Sequence, residues 1–195
     1  MKIFDISQEV LSCRVYEGDP SPKGEKMKDM TRGDSYNLSA FSMCAHNGTH
    51  VDAPAHFLEG GITVDQLPLE SFVGPCYVSF HEGNVTEEIA ISILNQAQRV
   101  GGGERILIGG NCTVTEEGAK VFAAAQVRLI GNESQSVGPE NSPMAVHRIL
   151  LEEKIVLLEG IVLSHIPQGV YLLSAAPLNL KDFEGSPCRA FLLQP

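Results

Sequence analysis

The chain has 195 residues, 43% of them hydrophobic, and carries a formal net charge of −10. That length suits one domain with a sizeable core spanning residues 1–195, and an acidic surface with no basic cluster argues against a nucleic-acid partner. Five cysteines, an odd number with no C-x-x-C pair, argue against a disulfide framework and against a four-cysteine zinc site.

In chain order, the first strand-like run is "KIFDI" at 2–6. Asp5 and Glu9 fall where a secretory signal would need an apolar stretch, and no run is long and apolar enough for a membrane helix. A cytoplasmic protein with no membrane partner is expected. Residues 17–35, "EGDPSPKGEKMKDMTRGDS", hold glycine, proline and mixed charge and read as one long loop, of the kind that forms lids or binding loops. Further strand-like runs are "CYVSF", "RILIG", "VRLIG", "KIVLLE" and "VYLLSAA". Helical patterns lie between several of them. "TEEIAISILNQAQRV" and "TEEGAKVFAAA" open on a threonine cap, Thr86 and Thr115, with acids in the first turn. "SPMAVHRILLEE" has Ser142 as cap and Pro143 at the first helical position. Strands and helices alternate through the second half, while strands and loops dominate the first. This pattern predicts a single α/β domain whose sheet need not be all parallel.

Between the long loop and "CYVSF" lies "HNGTHVDAPAH", residues 46–56, which holds three of the six histidines. His46 and His50 have helical spacing, but Gly48 between them costs a helix ~1 kcal/mol and Pro54 ~3 kcal/mol. An extended chain fits better. His46, His50, Asp52 and His56 share one parity and would face one side of a strand. At a rise of ~3.3 Å per residue, His50 and Asp52 lie ~6.6 Å apart and can converge on one ion. His46 and His50 would lie ~13 Å apart, too far for metal–nitrogen bonds of ~2.0–2.1 Å, so the chain must bend, most easily at Gly48. Pro54 can likewise redirect His56. Imidazole with carboxylate suits zinc, manganese or iron more than copper. A polar loop with incidental histidines and a purely structural metal site are the alternatives.

Two further ligand candidates stand in "VHRILLEEKIVLLEG". Glu159 ends an apolar strand, the end at which open α/β sheets place ligands, and His147 sits on the helix that begins near Pro143. From the residues alone, a solvent-exposed acid and a surface histidine remain open for this pair. Cys44 shares the motif's parity but reads better as a small buried residue. "VGGGER" at 100–105 lacks the Lys-Ser/Thr of a phosphate loop, and no G-x-S-x-G elbow is present.

"HNGTHVDAPAH" resembles the H-x-G-T-H-x-D-x-P-x-H signature of the cyclase family of metal-dependent hydrolases, which includes bacterial kynurenine formamidase and isatin hydrolase. "YEGDP" at 16–20, "LPLESFVGPCYV", "GERILI" and the segment from "LEGIVLSHIPQG" to "CRAFLL" are similar to family segments too, so the likeness spans nearly the whole chain. It implies a swivelling β/β/α fold with a mixed sheet, assembled as a homo-oligomer, a dimer or a tetramer. It implies one or two divalent ions, zinc first and manganese as the alternative. His46, His50, Asp52, His147 and Glu159 match the family's ligands, with Asp52 as the bridge if two ions bind, and His56 matches its catalytic histidine. The implied activity is hydrolysis of a C–N bond in a small formamide-like or cyclic amide. A lactone hydrolase, a dehydratase-like cyclase and a non-catalytic binding protein are the rivals. The sequence departs from the family at Glu133 and Gly138 in "GNESQSVGP", and it has no tryptophan.

Overall fold

Residues 1–194 are described by the computed structural model; Pro195, the last residue of the expected domain, lies outside them. Strand β1 (Lys2–Asp5) is followed by the hairpin strands β2 (Lys23–Lys28) and β3 (Leu38–Ser42), and by the short β4 (His50–Asp52). Next come β5 (Val73–Phe80), β6 (Gly83–Val85), α1 (Glu87–Arg99), β7 (Arg105–Gly109), β8 (Cys112–Val114), α2 (Glu116–Ala124) and β9 (Leu129–Asn132). The chain continues through α3 (Met144–Glu152), β10 (Val156–Glu159), β11 (Gly169–Ser174), β12 (Gly185–Pro187) and β13 (Phe191–Gln194).

One nine-stranded sheet organises these elements in the order β1-β13-β11-β5-β7-β9-β10-β4-β12. Its centre, β5-β7-β9-β10, is parallel, and its consecutive strands are joined through α1, α2 and α3 as crossovers of the kind parallel pairing requires. Both flanks are antiparallel. The sheet is therefore mixed, as the alternating pattern of the second half suggested.

Alternation along the central strands builds a core on each face. Val78, Leu107, Leu129, Val156 and Leu158 pack with Phe4, Ile6, Phe72 and Leu192 on one side. Tyr77, Ile106, Ile108, Ile130 and Leu157 pack under the helices against Leu94, Phe122 and Leu150 on the other. Truncating a buried leucine or isoleucine of this kind to alanine costs ~2–5 kcal/mol. Strand β10, buried on both faces, is thus a firm support for the acid at its end.

Three local expectations are corrected. Residues 17–35 are not one loop: 23–28 form β2, paired antiparallel with β3. Its sequence, KGEKMK, is nearly all exposed, so backbone pairing forms the strand without a buried face to mark it. Helix α3 begins at Met144, with Pro143 in the cap position and no side-chain cap from Ser142. Thr86 occupies its expected cap position, but its hydroxyl donates to Glu88 Oε2 instead of accepting from the helix, whereas Thr115 accepts from Gly118 N–H as expected. Among the described residues no helix is long and apolar enough to cross a membrane.

Candidate metal centre

Strand β4 carries His50 and Asp52 between β10 and β12. Glu159, the last residue of β10, lies directly opposite His50 in register, so the two share a face with Asp52 two residues on. No α-helix forms over residues 46–56. The chain turns before β4, and Gly48 has φ +61°, the left-handed bend that brings His46 back over the strand. Beyond β4, Pro54–His56 form one 3-10 turn that redirects His56. On β12, Gly185 lies opposite Asp52, and a Cβ there would come within 2.6 Å of His46 Cε1, so the imidazole occupies the space a side chain would take. His147 reaches in from α3, where its Nδ1–H donates to Pro143 O at 3.0 Å.

These residues converge. His46, His50 and Asp52 offer ligand atoms within 4.8 Å of one another, as do Asp52, His147 and Glu159. Asp52 belongs to both triads. Its Oδ1 lies 2.8 Å from His46 Nδ1 and 3.5 Å from His50 Nε2, and its Oδ2 lies 3.5 Å from His147 Nε2. Glu159 faces His50 Nε2 at 3.4 Å and His147 Nε2 at 3.2 Å, and accepts Val137 N–H at 2.7 Å. His50 donates Nδ1–H to Gly48 O at 3.0 Å. Both His50 and His147 therefore spend Nδ1–H on backbone and turn Nε2 towards two carboxylates. Asp52 Oδ2 is buried without a hydrogen-bond partner. The solvent-exposed alternatives for His147 and Glu159 do not hold, since each is only 2% exposed.

His56 is set apart from the triads. Its ring stacks on His46 at 4.0 Å between centroids, meets Phe57 edge-on at 4.5 Å and lies 6.3 Å from His147. The six predicted residues are thus brought together, five in the triads and one beside them. Other residues in the cluster went unassigned from the sequence. Glu184 faces His46 Nε2 at 3.3 Å. Tyr16, Asp19, Phe57, Gln135, Ser136 and Pro143 help line a cavity of about 230 Å³ over the cluster. Cys44 is half-buried, and its Sγ–H points to Asp19 Oδ2 at 3.6 Å.

Burial pushes the four histidines of the cluster down, but the carboxylates outweigh it for three of them. Asp52 carries His46 up to about 9, and Asp52 with Glu159 carries His147 up to about 10; His50 is also raised. Burial raises Asp52, yet the His147 and His46 rings beside it hold it well below the usual carboxylate range. Burial and the Asp52 charge raise Glu159, and His147 and His50 bring it below its ordinary value. His56 is the exception: burial lowers it, Asp52 offsets part of this, and His46 and His147 push it down further.

A pH dependence follows for the ion-free protein. His46 and His147 titrate higher when folded than at their ordinary 6.5. Their contribution to stability is full below about pH 6.5 and is lost as pH rises through about 9 and 10. Thermal melts in excess chelator should therefore show stability falling between pH 6.5 and 10.5, with a shallower fall in His147→Gln. Equal slopes for the two proteins would contradict the assignment.

An α/β sheet that gathers two histidine–carboxylate triads at the end of a central strand builds a candidate metal centre. Comparison with known proteins names the family. The Cyclase family model matches residues 4–139, and the chain belongs to that family. It is 31% identical to the kynurenine formamidase of Erythrobacter litoralis over 98% of this chain and 93% of that protein. It is 32% identical to the kynurenine formamidase of Salinibacter ruber over 98% and 97%. A solved structure described as a potential metal-dependent hydrolase with cyclase activity superposes with a TM-score of 0.82 at 26% identity, covering 100% of this chain and 99% of that one.

Proposed function

We propose that this chain is a metal-dependent hydrolase that cleaves the C–N bond of a small amide, formamide-like or cyclic. In this reading His46, His50, Asp52, His147 and Glu159 hold one or two divalent ions and His56 carries the proton. The observation that supports it most is the buried pair of triads joined at Asp52. The donors fit a cation: two carboxylate charges are buried, three imidazoles surround them, and one Asp52 oxygen lacks a partner. Sharing of Asp52 favours two ions. A donor set of imidazole and carboxylate without thiolate favours zinc, with manganese as the alternative. The kynurenine formamidase relatives support an amide substrate.

A divalent cation bound there supplies Lewis acidity, lowering the pKa of water and polarising a carbonyl. The chain's own residues do the rest. Glu184 accepts from His46 Nε2–H and orients that ring, as the Gly48 and Pro143 carbonyls orient His50 and His147. His56, held neutral by its lowered pKa, takes a proton from the attacking water and passes it to the leaving nitrogen. Residues 1–195 act as one catalytic domain, and the sequence favours the cytoplasm. The exposed side chains of Met27, Leu38 and Phe41 on the β2–β3 ribbon support assembly into a homo-oligomer, which sedimentation would read.

Protein stripped with chelator and reloaded with zinc or manganese should hydrolyse members of a panel of formamides and lactams. Activity that survives exhaustive chelation, or turnover of lactones with none of amides, would sink this reading.

A further inference from the structure

Gln135 and Ser136 line the same cavity as His46, His50, His147 and Glu159. They are 4% and 2% exposed, yet Gln135 Oε1 and Ser136 Oγ have no hydrogen-bond partner among the described residues. Buried polar atoms in folded proteins are nearly always paired, so two unpaired atoms on neighbouring side chains that line a cavity point to a ligand.

The chemistry of the contacts fixes which way the Gln135 amide faces. Its Nε2–H donates to Gly48 O at 3.2 Å, and a carbonyl only accepts, so the amide oxygen is the atom left over. Gly48 O also accepts Nδ1–H of His50. One backbone oxygen thus ties the Gln135 amide to an imidazole of the cluster, and both side chains line the same cavity. Gln135 falls between Glu133 and Gly138, and nothing in its spacing marks it.

An amide oxygen accepts and never donates, so its complement on an amide ligand is the N–H. We propose that Gln135 is a specificity-determining residue: its Oε1 accepts the N–H next to the scissile carbonyl. The site then takes secondary amides and lactams and discriminates against tertiary amides, esters and lactones of the same shape. Ser136 Oγ, which can donate or accept, supplies a second polar contact. The cavity of about 230 Å³ is smaller than the ~300–1,000 Å³ typical of drug-sized ligands, which limits the substrate to a compact molecule. This inference rests on the hydrolase reading and names its substrate class.

Oxindole and 2-indanone test it through binding, because they share a shape and differ in N–H against CH2; a His56→Ala background, common to the proteins with and without the Gln135 change, keeps oxindole, itself a lactam, from turning over. Dissociation constants for both are measured by titration on the zinc-loaded full chain in that background, with Gln135 intact and with Gln135→Met. The protein with Gln135 intact should prefer oxindole by about tenfold, the scale of leaving a buried acceptor unpaired. Gln135→Met, of similar volume but with no amide acceptor, should bring the ratio close to one while affinity for 2-indanone holds. Gln135→Leu serves the same comparison if the methionine variant does not fold. A ratio near one with Gln135 intact, an unchanged ratio in the Gln135 variants, or no binding of either compound would overturn the proposal. Failure of the hydrolase reading registers elsewhere, as absence of ion-dependent amide turnover.

Discussion

Asp52→Ala is expected to leave a folded protein that cannot retain a divalent ion through dialysis and that has lost its amide hydrolysis. The reason is geometric. Asp52 is the one residue common to both triads, with Oδ1 beside His46 and His50 and Oδ2 beside His147. Its removal leaves two pairs, His46 with His50 and His147 with Glu159. Loss of an outer-shell partner alone lowers metal affinity ~10–100-fold, and loss of a shared ligand should exceed that. Glu159 also faces a histidine of each half, but it belongs to one triad only. Glu159→Ala should leave the His46–His50–Asp52 triad able to bind, with about half the ion content if two ions are present. Elemental analysis of the dialysed proteins, with circular dichroism as the folding control, reads the difference. Wild-type ion content in Asp52→Ala would remove Asp52 from the ligand set.

The parts of this centre legible in the sequence are those fixed by short-range geometry. Parity placed His50 and Asp52 on one face, and the reach of an extended chain required the bend that Gly48 makes at φ +61°. Glu159 was legible as the end of a buried apolar run. Its pairing with His50 was not, because register between β10 and β4 is a long-range fact that no local pattern encodes. Glu184 and Gln135 stayed invisible for the same reason. Each lies far along the chain from the motif, and its side chain meets the motif at one polar atom, His46 Nε2 for Glu184 and Gly48 O for Gln135. The β2–β3 ribbon was missed on different grounds: a strand with both faces in solvent shows no alternation to read.

His56→Ala separates proton transfer from ion binding, and the two effects should part cleanly. The His56 ring lies against His46 and Phe57 but belongs to neither triad, so removing it should leave ion content unchanged. Its lowered pKa keeps the imidazole neutral near pH 7, the form that can accept a proton, while His46 and His147 are driven towards the charged form by the carboxylates beside them when no ion is bound. General acid–base catalysis of this kind contributes ~10²–10⁴-fold, so kcat on an amide should fall by about that factor. The deficit should be largest for amides whose leaving amine is most basic, since these need the proton most at C–N cleavage. A phenolic ester of the same acyl group, whose leaving group departs without protonation, should suffer much less. Equal losses on both substrates would instead assign His56 to packing against His46, and full amide activity in the variant would remove it from the reaction altogether.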